Sequence, residues 1–89
     1  LRLDVFLKRV GLCKQRTLAK GLCDAGKVKA SGAAAKAGRE VTPGATIEIE
    51  FRQDTLTIQV TGLPDRNYTR KDGEAFYSVI GRRDNDVFA

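Results

Sequence analysis

The sequence predicts an α+β fold in which two N-terminal helices pack on a small antiparallel sheet, with a short C-terminal helix behind them. Two patterns carry that expectation. Apolar residues up to Ala25 recur at helical spacing, and those from Ile47 to Val60 alternate with a period of two. Eighty-nine residues are enough for one domain with one modest core and too few for a two-domain enzyme with a buried cleft.

Leu3, Phe6, Leu7 and Val10 fall at i, i+3, i+4 and i+7, so they form one stripe of a first amphipathic helix. Asp4 lies in its first turn, where the helix dipole favours a carboxylate, and Gly11 is a suitable left-handed stop. A second helix is expected from about Arg16 to Ala25, with Leu18, Leu22 and Ala25 on its stripe, Ala19 and Cys23 widening it, and Gly26 ending it. Gly21 inside that helix costs about 1 kcal/mol relative to alanine. Close packing against the first helix is the expected reason.

Val28 and Ala30 alternate with Lys27 and Lys29, so the lysines face outward, and Ser31-Gly32 marks a turn. The stretch Ala33 to Ala37 reads as a loop with Lys36 exposed. After Pro43-Gly44, Ile47, Ile49 and Phe51 and then Leu56, Ile58 and Val60 define an antiparallel pair joined around Arg52 to Thr55. Glu48 and Glu50 make its outer face acidic, which should turn it away from nucleic acid. Gly62-Leu63-Pro64 closes the sheet. Beyond it come a loop with Arg66 and Tyr68, a short helix near Arg70 to Ile80 that docks through Ala75, Phe76, Val79 and Ile80, and a frayed tail.

The net charge of +5 hides a dipolar molecule. Through Lys36 there are nine Lys or Arg against two Asp, a local +7, whereas the remainder has seven against nine acids, a local −2. Such a basic end is the electrostatic footprint of a polyanion binder. Arg16 and Lys20 project together one turn apart, with Lys14 just ahead and Thr17 beside Arg16. Asp24 can offset Lys20 but not Arg16 or Lys14. The side chains of Lys14, Arg16, Lys20, Lys27 and Lys29 are expected to converge on one positive platform, with exposed N–H groups at the second helix start adding to its attraction for phosphate. Arg66, Arg70, Lys71, Arg82 and Arg83 form a second basic set that neighbouring acids dilute.

Cys13 and Cys23 are the only cysteines and there is no histidine, so neither a zinc site nor a catalytic constellation is expected. Cys23 reads as a small core hydrophobe and Cys13 as a partly buried linker residue. No apolar run approaches the ~20 residues needed to span a bilayer, and the start has no signal-peptide layout, so a cytoplasmic protein is expected.

Four pieces in order, Arg2-Leu3-Asp4-x-x-Leu7, Arg16-x-x-Ala19, Gly26-x-Val28-x-x-x-Gly32 and Val41-x-Pro43-Gly44, resemble the S4 RNA-binding domain family over about residues 1 to 51. The continuation through Gly62-Leu63-Pro64-x-Arg66 and Ala75-x-Tyr77 is similar to the stand-alone bacterial proteins related to heat shock protein 15 and to RqcP of ribosome-associated quality control. The resemblance implies an S4-type (αL-like) fold over residues 1–62 and a C-terminal extension over 63–89. It also implies binding to ribosomal RNA and tRNA on a large ribosomal subunit that carries a stalled nascent chain, with no cofactor, membrane or small-molecule substrate. Carried over by position, the RNA contacts would be Arg2, Lys8, Lys14, Arg16, Thr17, Lys20, Lys27 and Lys29, and Lys36 matches a lysine found after the alanine run. Gln15 departs from the family's Ser or Thr, and Ser31 from its Asn. The rival reading is the RNA-targeting domain of an enzyme such as a pseudouridine synthase or a tyrosyl-tRNA synthetase; a protein-binding adaptor is a third. With few aromatics among the cations, recognition is expected to be by RNA shape.

Overall fold

The computed structural model describes residues 1–64, 73 and 75–85. Two helices, α1 (Leu3–Arg9) and α2 (Arg16–Asp24), precede five strands: β1 (Val28–Ala30), β2 (Ala33–Ala34), β3 (Thr46–Glu50), β4 (Asp54–Val60) and β5 (Tyr77–Asp84). The strands form one sheet in the order β2-β1-β3-β4-β5, antiparallel throughout. Leu3, Phe6 and Leu7 of α1 are fully buried with Val28, Ile47, Ile49 and Ile58, so the apolar stripe of α1 and one face of the sheet make the core.

The start of α1 is closed by the chain that follows β2. The Leu3 amide donates to the Arg39 carbonyl at 2.8 Å, and the Asp4 amide to the Ala37 carbonyl at 3.1 Å. These bonds satisfy helix-terminal amides that would otherwise need water, and they bring residues 36–39 beside Arg2. At the end of α2, Gly26 takes φ +75° and lets the Lys27 amide reach back to the Leu22 carbonyl at 2.9 Å.

The α+β class stands, with several local corrections. Tyr77–Ile80 belong to strand β5, not to a C-terminal helix; residues 70–72 and 74 of that expected helix lie outside the described residues, as do Arg66, Tyr68 and the tail 86–89. Val60 and Ile58 present backbone groups that Tyr77 and Val79 complete as a ladder, and non-local pairing of this kind overrides local helix periodicity. The register shifts between Thr57 and Ile58, leaving Ile80 as the extra residue of a bulge. Val79 and Ile80 are exposed, so they do not dock as apolar anchors. Gly73 packs so closely on the end of α1 that an added Cβ would lie 2.0 Å from the Val10 carbonyl oxygen.

Within Ala33–Ala37, expected as loop, Ala33 and Ala34 form β2. Ser31 and Gly32 both adopt positive φ, 55° and 86°, which is the geometry of a two-residue hairpin turn. Cys13, expected to be partly buried, is fully buried.

On α2 the buried stripe is narrower than its apolar pattern. Ala19 and Cys23 face the core, Leu18 is 48% exposed, and Ala25 lies outside it. Gly21 faces open space: an added Cβ would meet nothing within 4 Å, so helix packing does not require glycine there. Gly21→Ala is therefore expected to stabilise the protein by about 1 kcal/mol, which thermal unfolding would register as a rise of about 4–8 °C. An unchanged or lower melting temperature would show that the glycine serves the fold in another way.

Candidate nucleic-acid interface

The site is built on Asp4. Its carboxylate is fully covered, and three donors cover it. Arg2 approaches through Nε at 3.1 Å and Nη2 at 3.3 Å, Arg16 through Nε at 3.1 Å, and the Val5 amide at 2.8 Å. One carboxylate on α1 thus draws together a guanidinium from the residue before α1 and one from the first turn of α2. Both arginines stay half in solvent, at 48% and 54% exposure. Among the described residues Arg16 meets Asp4 through Nε alone, which leaves its two terminal nitrogens for an outside acceptor. Two cations that would repel each other are fixed side by side with donors facing outward, and a forked guanidinium suits phosphate oxygens.

Further cations surround this pair. Lys20 follows Arg16 by one turn and pairs with Asp24 at 3.0 Å, an exposed pair of little energetic weight that phosphate can displace. Lys8 follows Asp4 by one turn of α1 and is exposed. On the other side, Lys36 and Arg39 line a shallow depression with Gly38. A methyl group added to Gly38 would touch the Arg2 guanidinium at 3.8 Å, so this depression adjoins the arginine pair. Thr17 donates to the Gln15 side chain at 3.3 Å, and Gln15 makes no side-chain cap to α2. Lys14 is exposed just ahead of α2.

The single five-residue platform expected from the sequence does not form. Lys29 alternates with the buried Val28 and Ala30, which puts it on the sheet face away from the helices, in register with Glu48. The acidic outer face expected to avoid RNA is the face that holds Lys29. Lys27 lies with Leu18 and Leu22, on the flank of α2 opposite Arg16 and Lys20. Alternation decided that these lysines face out; the layer order of the fold decided that they face elsewhere.

Asp4 and Arg39 join this cluster without being among the cations that the sequence pattern singles out. The pattern assigns Asp4 to the helix dipole and gives Arg16 no carboxylate. A signal was present: a carboxylate one position from an apolar stripe residue, two after an arginine, sits where the stripe meets the polar face. Nothing local in the sequence points to Arg39, which arrives through the return of the chain onto the start of α1.

Burial pushes the Asp4 carboxyl up, but hydrogen bonds from Arg2 and Arg16, the Arg16 charge and the Val5 amide outweigh it and hold it below the ordinary value of 3.8. A lowered folded pKa contributes stability that is complete above the unfolded value and lost as pH falls through the folded one. Stability is therefore expected to decline below about pH 4, and in Asp4→Asn this part of the decline should vanish. Denaturant midpoints at successive pH values test it; an unaltered profile in the variant would assign the decline to other carboxylates. Burial, and secondarily the nearness of Cys23, raises the Cys13 thiol to about 11, so it is poorly suited to act as a nucleophile.

The S4 domain family matches residues 1–47. Over 81 residues the chain is 41% identical to the RQC P-site tRNA stabilizing factor of Bacillus subtilis (strain 168), spanning 90% of this chain and 92% of that protein. It is 38% identical over 73 residues to the protein of the same name from Helicobacter pylori, with 81% and 87% covered. Among solved structures, Vibrio cholerae heat shock protein 15, described as trimeric, matches with a TM-score of 0.81 and 29% identity over 89% of this chain and 80% of that one.

Proposed function

Because the chain belongs to the S4 domain family, we propose that it is an RNA-binding protein that grips folded RNA through Arg2 and Arg16 on their shared carboxylate. Lys8, Lys14, Thr17 and Lys20 extend the grip along the helices, and Lys36 and Arg39 extend it past Arg2. The RNA is ribosomal RNA and tRNA of a large ribosomal subunit that still carries a stalled nascent chain, and the protein acts by holding that tRNA rather than by catalysis. The observation that carries the reading is the arginine pair fixed over Asp4, because a half-solvated guanidinium pair is poised for phosphate. The names of the relatives, and the nearly full-length match to them, support this reading over an RNA-targeting domain of a modifying enzyme.

The test is co-sedimentation with separated small and large subunits, with and without peptidyl-tRNA in the P site, at increasing salt. Binding should favour tRNA-bearing large subunits. With six phosphates neutralised, affinity should fall by roughly three decades between about 50 and 200 mM salt. Affinity that hardly moves over that range, or equal binding to both subunits, would overturn the proposal.

A further inference from the structure

A second surface lies on the flank of α2 turned away from Arg16 and Lys20. Leu18, Leu22 and Phe51 floor an open groove of about 890 Å³, with Lys27, Arg52 and Gln53 at its rim. Its size falls within the roughly 300–1,000 Å³ of ligand sites. The half-exposed Leu18 belongs to it, which gives that leucine a place after its exclusion from the core.

The wall opposite α2 is rigid by construction. Asn85 ties down the β3–β4 turn with three bonds. Its amide donates to the Gln53 carbonyl at 2.9 Å, its Nδ2 donates to the Phe51 carbonyl at 2.9 Å, and its Oδ1 accepts from the buried Thr55 hydroxyl at 2.7 Å. Phe51, whose alternation with Ile47 and Ile49 pointed to the core, is only partly buried and is held at the groove by this turn.

Charge narrows the occupant. Lys27 and Arg52 form no ion pair among the described residues, and Asp54 is engaged by Arg82 at 3.4 Å, so Glu50 in the groove and Asp84 beside Arg52 in the adjoining depression are the carboxylates near the two cations. Phosphate alone would have no use for an apolar, part-aromatic floor, and an apolar protein anchor would have none for the two cations at the rim. A nucleotide offers both a flat apolar base and an anion.

We propose that this groove receives an unpaired nucleotide of the bound RNA, its base against Phe51 and Leu18 and its phosphate between Lys27 and Arg52. The inference rests on the RNA-binding reading and adds a base-stacking contact to recognition by shape. It also gives Lys27 a role on a flank that the arginine pair does not reach. An RNA spanning both surfaces passes over the outer side of α2, where Gly21 leaves no side chain in the way.

The experiment titrates the full chain with short oligouridylate and oligoadenylate single strands and, separately, with an A-form duplex, following backbone amide shifts by NMR. Single strands should shift the amides of Leu18, Leu22 and Arg52. Phe51→Ala and Leu18→Ser should each weaken single-strand binding about fivefold or more, Phe51→Tyr should retain it, and duplex binding should be unaffected by all three. Leu18→Ser alters a half-exposed side chain and keeps the test decisive if Phe51→Ala unfolds. Wild-type affinity in the groove variants, with shifts confined to the Arg2 and Arg16 side, overturns this inference and leaves the RNA-binding reading intact. Failure of the unaltered chain to bind any RNA overturns both.

Discussion

Asp4→Ala is expected to lower stability by about 2 kcal/mol and to weaken RNA binding even though Asp4 carries the same sign of charge as RNA. The stability figure lies above the ~0–1 kcal/mol of an exposed pair, because the carboxylate is fully covered and accepts from both arginines and the Val5 amide. It lies below the ~3–5 kcal/mol of breaking a fully buried pair, because Arg2 and Arg16 keep half their surface in water and are not stranded by its loss. A simple charge argument predicts the opposite for binding, since removing a negative charge raises the net charge. Here the arginines would separate under mutual repulsion and lose their fixed geometry. Chemical denaturation and RNA titration on the same variant decide the matter: tighter RNA binding in Asp4→Ala would refute the positioning role.

Arg16→Lys should lose about tenfold or more in RNA affinity while the melting temperature changes little. Arg16 uses Nε toward Asp4 and keeps its terminal nitrogens for an outside oxygen. Lysine has one nitrogen, so it can satisfy Asp4 or a phosphate but not hold both in fixed geometry. A charge-assisted hydrogen bond is worth about 1.5–3 kcal/mol, and about 1.4 kcal/mol corresponds to tenfold. Arg2 retains Asp4 through two bonds in the variant, which is why the fold should tolerate it. Equal affinity of Arg16→Lys and the unaltered chain would mean that Arg16 acts only as a diffuse charge.

The two helices, the β3–β4 pair and a turn at Ser31-Gly32 were legible because each is decided by neighbours in sequence, whereas the hairpin that this turn makes with β2 was not, because Ala33 and Ala34 carry no strand pattern of their own. Spacing of Leu3, Phe6, Leu7 and Val10 fixes the buried side of α1 whatever lies beneath it. Strand β5 was not legible: Ala75, Phe76, Val79 and Ile80 fall at helical spacing, and only pairing with β4, distant in sequence, makes the residues from Tyr77 on a strand. Leu18 misled for a similar reason. It has the right residue type for a core position, but α2 packs chiefly against α1 and buries Ala19 and Cys23 instead.

By itself the sequence determined the fold class, the concentration of positive charge in the first 36 residues and the outward direction of its cations, since these follow from composition and period. Tertiary structure alone decided which cations lie side by side. Asp4 and Arg16 are twelve residues apart and meet because α1 and α2 pack side by side, whereas Lys29 and Arg16, both pointing to solvent, are separated by the thickness of the sheet. Period fixes whether a side chain leaves the core, but the order of the layers fixes where it arrives.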